Sequence, residues 1–128
     1  MTYDPQIKFE LANLPHNLYW QIPLDGAEYL KQTVRRLKPK NVLEIGTSSG
    51  YSALYIVEGF VEAGLLTSKL YTIESHEGRF QFASENFSKA GISDFIVPIR
   101  GHAPEVIPTG TTFDLAFFDG TKNQTSAF

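Results

Sequence analysis

Three acidic side chains, Glu44, Glu74 and Asp119, stand at or near the ends of short apolar runs, and Lys122 follows the third of them. A carboxylate inside an apolar strand needs a partner, because an unpaired buried charge is strongly disfavoured. In a parallel sheet the carboxyl ends of the strands lie along one rim, where open α/β sheets take their ligands. Single acids at strand ends are common and often do nothing but solvate. Three of them, with glycine turns after two, point to a binding rim.

The first acid belongs to Asn41–Ser52, Asn-Val-Leu-Glu-Ile-Gly-Thr-Ser-Ser-Gly-Tyr-Ser. This reads as a short buried strand, a bend bracketed by Gly46 and Gly50, and the start of a helix. The glycines let the backbone turn sharply and let a ligand approach closely. Glu74 closes a second strand, where a carboxylate can accept two hydrogen bonds from the vicinal diol of a ribose. Nicotinamide dinucleotides and adenosyl cofactors both carry such a diol. The bend separates them. Dinucleotide sites use G-x-G-x-x-G to bring backbone N–H groups to a pyrophosphate, whereas here three residues separate the glycines and Glu44 stands beside them. An acid there repels phosphate and suits the ammonium of an amino acid. S-adenosylmethionine combines adenosine, a ribose diol and an amino-acid tail without phosphate.

The elements that must position these groups alternate along the chain. Residues 1–24 read as an irregular N-terminal arm interrupted by Pro5, Pro15 and Pro23, and residues 25–128 as the cofactor-binding domain. Tyr19 and Trp20, beside His16, crowd the end of the arm, where a lid packed on the core is the commoner use of such residues. A helix is expected from Asp25 to Leu37, with Ala27, Leu30, Val34 and Leu37 on one stripe and Pro39 beyond it. Strand 41–46 follows, then a helix from Ser52 to Ala63 with Ala53, Ile56, Val57, Phe60 and Val61 on one face. Next come strand Lys69–Glu74, helix Glu77–Ala90 capped by Gly91, and strand Asp94–Ile99. Pro104 could open a short helix after the Gly101-His102-Ala103 turn. A fourth strand is expected over Thr112–Asp119. This alternation predicts a parallel sheet with helices on both faces. The fourth strand is apolar on both faces, as interior parallel strands are. Left at an edge it would invite pairing, so the expectation is a fold incomplete at its C-terminus, or a homodimer that covers the edge.

Composition bounds the partners. The 128 residues suffice for one domain with a core, and the formal charge of −3 argues against a nucleic-acid surface. Arg35, Arg36, Lys38 and Lys40 fall at a helix end, where positive charge suits the helix dipole. Without cysteine there is no disulfide framework, thiolate metal site or cysteine nucleophile. No apolar run reaches the roughly 18 residues of a membrane span, and no signal peptide is evident. The expectation is a cytoplasmic protein with neither membrane nor nucleic acid as a partner. His16 and His76 have no companion at metal-ligand spacing.

Val-Leu-Glu-Ile-Gly-Thr-Ser-Ser-Gly-Tyr-Ser, Leu-Tyr-Thr-Ile-Glu, Arg-Gly-His-Ala and Phe-Asp-Leu-Ala-Phe-Phe-Asp-Gly-Thr-Lys together resemble successive motifs of class I S-adenosylmethionine-dependent methyltransferases. The similarity runs from Gly26 to Lys122 and is nearest to the O-methyltransferase group of the catechol and caffeoyl-coenzyme A enzymes. It implies a Rossmann-like, doubly wound α/β sheet and transfer of a methyl group from S-adenosylmethionine to a small hydroxylated acceptor. By position, Glu44, Gly46 and Thr47 would line the methionine end and Ser52 would bond it from the helix start. Glu74 would take the ribose, and His102 and Ala103 would flank the adenine. Gln21 or Ile22, just before the Gly-Ala-Glu-Tyr-Leu helix, would also touch the cofactor. In cation-dependent members the aspartate after the fourth strand binds a divalent metal such as Mg²⁺, and a lysine three residues on is the general base. The resemblance thus implies Asp119 as a cofactor-site and metal residue and Lys122 as the catalytic base. Gly120 and Thr121 depart from the usual residues between them. Two other readings stand beside this one: a non-catalytic module that binds a nucleoside or a partner chain, and a nicotinamide-dependent oxidoreductase, which the glycine spacing disfavours.

Overall fold

The computed structural model of the chain describes Asp4, residues 6–14 and residues 24–118. Their elements run α1 (Gln6–Ala12), α2 (Leu24–Leu37), β1 (Asn41–Ile45), α3 (Tyr51–Glu62), β2 (Lys69–Glu74), α4 (Glu77–Ala90), a single 3₁₀ turn (Ser93–Phe95), β3 (Ile96–Arg100) and β4 (Leu115–Phe118). The strands form one parallel sheet in the order β3-β2-β1-β4. Val42 of β1 lies opposite Leu70 of β2 and Leu115 of β4, and Leu70 lies opposite Ile96 of β3. This puts β1 and β2 in the middle and leaves β4 on an edge of the described sheet.

Strand alternation divides the core in two. Val42, Leu70 and Ile96 point to one face, where they meet Val34 of α2, Phe60 of α3, Phe87 of α4 and Ile7 and Leu11 of α1. Leu43, Ile45 and Ile73 point to the other and pack with Tyr71, Ile99, Ala103, Val106, Ile107 and Phe113. All four described helices therefore cover one face. On the other, the described cover is the connection from β3 to β4, where Pro104 opens turns and not the expected helix: Val106 N–H donates to the His102 carbonyl at 3.2 Å and Ile107 N–H to that of Pro104 at 3.0 Å.

α3 is the central helix. Tyr51 through Val57, with Gly59 and Phe60, are all buried, because the helix is enclosed by the sheet, α1 and α2. Both α3 and α4 end in the same motif. A glycine (Gly64, Gly91) follows the last turn with positive φ, and the next residue turns its N–H back, Leu65 to Phe60 at 2.8 Å and Ile92 to Phe87 at 3.0 Å. The carbonyls left over at the helix end are thereby bonded.

The structure corrects several boundaries. The arm is not wholly irregular: Gln6 to Ala12 form a helix, with Gln6 N–H donating to Asp4 Oδ1 at 3.0 Å and Ile7 and Leu11 buried. Leu37 and Val61, expected on buried stripes, are 51% and 48% exposed because they lie at the last turns of α2 and α3. β3 begins two residues late, since Ser93 and Asp94 turn so that Phe95 N–H reaches the Ile92 carbonyl at 2.9 Å. β4 begins at Leu115. Asp114 instead brackets the start of β1, its Oδ2 accepting from Lys40 N–H at 2.8 Å and Asn41 N–H at 3.2 Å. Away from the sheet, Glu58 of α3 draws Lys8 of α1 (2.8 Å) and Lys31 of α2 (3.5 Å) together. Burial lowers the Lys31 ammonium, but Glu58, Glu62 and Glu28 outweigh it and leave its pKa raised.

Candidate functional site at the carboxyl ends of the strands

The bend after β1 is built from backbone. Gly46 N–H and Thr47 N–H both donate to the Ile73 carbonyl, at 2.8 and 3.2 Å, which draws the bend toward β2. Ser48 adopts φ 53° and Gly50 φ 92°, and Gly50 N–H closes the turn on the Thr47 carbonyl at 2.9 Å. At Gly50 the left-handed backbone already favours glycine. A Cβ there would also stand 2.7 Å from the Phe87 ring. The space that the sequence offered to a ligand at Gly50 is taken by the protein's own α4. A second tie from α4 comes from Asn86, buried, whose Nδ2 donates to the Ser49 carbonyl at 2.9 Å.

Glu44 sits beneath this bend, fully buried. Thr72 Oγ1 donates to its Oε1 at 2.6 Å, and Ser52 Oγ donates to its Oε2. With the Thr72 proton committed, the 2.6 Å contact between Thr47 Oγ1 and Thr72 Oγ1 has Thr47 as donor. A relay thus runs from Thr47 through Thr72 to Glu44, with Ser52 closing it from α3. Hydrogen bonds to a charged acceptor in a low-dielectric interior are worth more than neutral ones, about 1.5–3 kcal/mol each.

Glu74 ends β2 and is equally enclosed, at 4% exposure, but its donors differ. Oε1 accepts the Ser48 N–H at 2.8 Å. Oε2 accepts the His76 N–H at 3.0 Å and the Arg79 Nε–H at 3.2 Å. His76 caps α4, its Nδ1 accepting from Arg79 N–H at 3.2 Å, so the first turn of the helix is fixed around this acid. The Glu74 carbonyl also accepts Gly101 N–H at 3.0 Å, which brings the turn after β3 alongside. There His102 is exposed and Ala103 is half-buried against the second core.

The structure therefore gathers Glu44, Gly46, Thr47, Ser52, Glu74, His102 and Ala103 along one rim. Gln21, Ile22, Asp119 and Lys122 lie outside the described residues. Sequence reasoning missed Thr72, Asn86, Phe87 and Arg79. A threonine in the β2 run and an asparagine within the apolar stripe of α4 were the available signals, since each puts a polar group on a buried face.

The bend carries no basic side chain, two carboxylates flank it, and Ser48 Oγ is the one buried side-chain polar atom among the described residues with no hydrogen-bond partner. An orphan hydroxyl in such a bend calls for a polar ligand. These groups fit a nucleoside bearing an amino acid and not a pyrophosphate.

Known proteins agree with the fold. The chain is 31% identical over 94 residues to the catechol O-methyltransferase of Mycobacterium tuberculosis, covering 72% of this chain and 41% of that one. It is 33% identical over 92 residues to the O-methyltransferase hkm8 of Aspergillus hancockii, covering 71% and 35%. The SAH-bound methyltransferase PaMTH1 of Podospora anserina superimposes with a TM-score of 0.77 at 28% identity, covering 92% of this chain and 51% of that one. The chain thus spans between a third and a half of the length of these relatives. Residues 43–128, from the middle of β1 onward, match the methyltransferase domain as a family. With its parallel sheet, glycine bend and rim acids, the chain belongs to the methyltransferase-domain family.

Proposed function

We propose that the protein is an S-adenosylmethionine-dependent O-methyltransferase acting on a small hydroxylated acceptor. The observation that carries this reading is the Glu74 carboxylate, buried at the tip of β2 and bonded to the backbone of the glycine bend through Ser48 N–H at 2.8 Å. One acid thereby joins the two elements that a nucleoside with an amino-acid tail would bridge.

In this reading Glu74 accepts the ribose hydroxyls, and the Gly46–Gly50 bend with Glu44 behind it forms the negative, phosphate-free seat of the amino-acid end. Glu44 acts mainly by holding Ser52 and Thr72, and through Thr72 the Thr47 hydroxyl, in fixed directions. His102 and Ala103 border the base, and Gln21 or Ile22, just before α2 in sequence, also touches the cofactor. When bound, S-adenosylmethionine supplies an electrophilic methyl group. What the protein must add is alignment of the acceptor and removal of its proton. Lys122, three residues after Asp119, takes that proton at its Nζ. Asp119 follows β4 directly in sequence and offers one carboxylate oxygen set to a divalent cation. Asp119 would supply one ligand of the octahedral oxygen shell that Mg²⁺ takes, and a cation held there would lower the pKa of the acceptor hydroxyl whose proton the lysine receives. The relatives' names support a hydroxyl acceptor, because two of them are O-methyltransferases, one acting on catechol.

Incubation with methyl-labelled S-adenosylmethionine and catechol, with magnesium and with a chelator, tests the reading. Label is expected on the acceptor oxygen, and Lys122→Ala should lower the rate by about 10²–10⁴-fold, the usual worth of a positioned base. Cofactor binding without any transfer to a panel of phenols and other hydroxylated acceptors would favour the non-catalytic module instead.

A further inference from the structure

Glu74 is held by three donors, and they are not equivalent. Ser48 N–H and His76 N–H belong to the backbone of the bend and of the α4 cap, both fixed by further hydrogen bonds. Arg79 reaches Oε2 by its side chain, which is 26% exposed against 5% for Glu74. A carboxylate has about four acceptor positions, and three are filled here. A vicinal diol needs two. One donor must therefore leave before a ribose can be gripped, and the guanidinium is the one that can swing into water without breaking the fold. The Arg79 backbone N–H stays on His76 Nδ1 at 3.2 Å whatever its side chain does.

We propose that Arg79 sets the affinity and diol selectivity of the nucleoside seat, because its guanidinium occupies on Glu74 the position that the ribose hydroxyls take and must be exchanged for them. This rests on the reading of Glu74 as the ribose acid. In the absence of ligand Arg79 compensates a carboxylate that would otherwise be buried with only neutral donors. A ligand able to donate two hydrogen bonds displaces it. A ligand without a diol has nothing to place on Glu74 and leaves the ion pair standing, so the arginine lowers the affinity of diol ligands alone.

The experiment is calorimetric titration of S-adenosylhomocysteine, adenosine and 2′,3′-dideoxyadenosine into the parent, Arg79→Gln and Arg79→Lys, with circular dichroism to confirm that each variant is folded. Freed of a part-exposed ion pair, Arg79→Gln should bind S-adenosylhomocysteine and adenosine about 2- to 5-fold more tightly, the range such pairs convert to. Arg79→Lys, which keeps a cation without the planar fork, should gain less. The ratio of adenosine to dideoxyadenosine affinity should rise by the same factor on removing the arginine, because dideoxyadenosine never had to displace it. Raising the salt concentration should narrow the gap between parent and Arg79→Gln, because screening weakens the pair in the parent. Unchanged or weaker binding of both diol ligands to Arg79→Gln, with the parent still binding, would overturn the exchange and leave the nucleoside reading intact. An equal gain on all three ligands would overturn the diol selectivity. If neither the parent nor any variant binds a nucleoside, the reading of Glu74 falls and this inference with it.

Discussion

Glu44 and Glu74 are the same residue type, buried to nearly the same depth on neighbouring parallel strands, yet their surroundings differ in kind. Glu44 lies wholly inside the fold. Two of its donors are hydroxyls of β2 and α3, each itself buried, and neither can leave without opening the core. Glu74 lies at the strand tip, and one of its three donors is a side chain with a route to solvent. Burial alone therefore does not sort structural acids from ligand-gripping ones. What sorts them is whether a donor can leave at small cost.

That contrast can be broken by substitution. The largest effect is expected at Glu44→Ala, which strips Thr72 and Ser52 of an acceptor and leaves a cavity, for a loss of about 3 kcal/mol. Glu74→Ala should lose only about 1 kcal/mol of stability, since water can reach the donors it leaves. Urea unfolding of both variants checks the order, and equal losses would erase the distinction. Thr72→Val sharpens it by removing one charged hydrogen bond from Glu44, at about 1.5–3 kcal/mol, with the Glu74 donors untouched. Asn86→Ala acts from behind the bend. Loss of its bond to the Ser49 carbonyl should reduce stability by about 1 kcal/mol and weaken nucleoside binding measurably. The smallest effect is alkaline. Burial, and then the hydrogen bond with Tyr55 at 3.3 Å, push the Tyr51 phenol above its ordinary pKa of 10.0. A folded-state pKa raised in this way means that the unfolded chain loses the proton first. The stability this group confers is complete below pH 10 and falls as pH rises beyond it. The slope of unfolding free energy above pH 10 should therefore be shallower in Tyr51→Phe than in the parent.

Periodicity and turn chemistry made most of the helix face legible. α4 and β2 fall where the residue pattern puts them, and Gly64 and Gly91 mark helix ends that the structure closes in the same way. The parallel α/β class followed from alternation. Boundaries failed in two ways: Asp114 leaves β4 to serve a tertiary partner at the start of β1, and Ser93–Asp94 form a local turn before β3. Such partners are 70 residues or more away in the case of Asp114, and no local pattern encodes them. The acids and the glycine bend of the rim could be picked out because acidic and glycine residues are unusual in a buried strand and its exit. Their donors could not. Thr72, Asn86 and Arg79 become partners only when the strands align and α4 folds back, and Gly50 owes its lack of a side chain to Phe87 from a different element.

The most direct measurement is the affinity of S-adenosylhomocysteine for the parent and for Glu74→Ala, taken by calorimetry in the same buffer. The parent should bind, and the variant should bind roughly 5- to 150-fold more weakly, the equivalent of about 1–3 kcal/mol for a polar group left without its charged partner. Equal affinity in the two proteins would mean that no ribose rests on Glu74, and would contradict the assignment of the rim as a nucleoside seat.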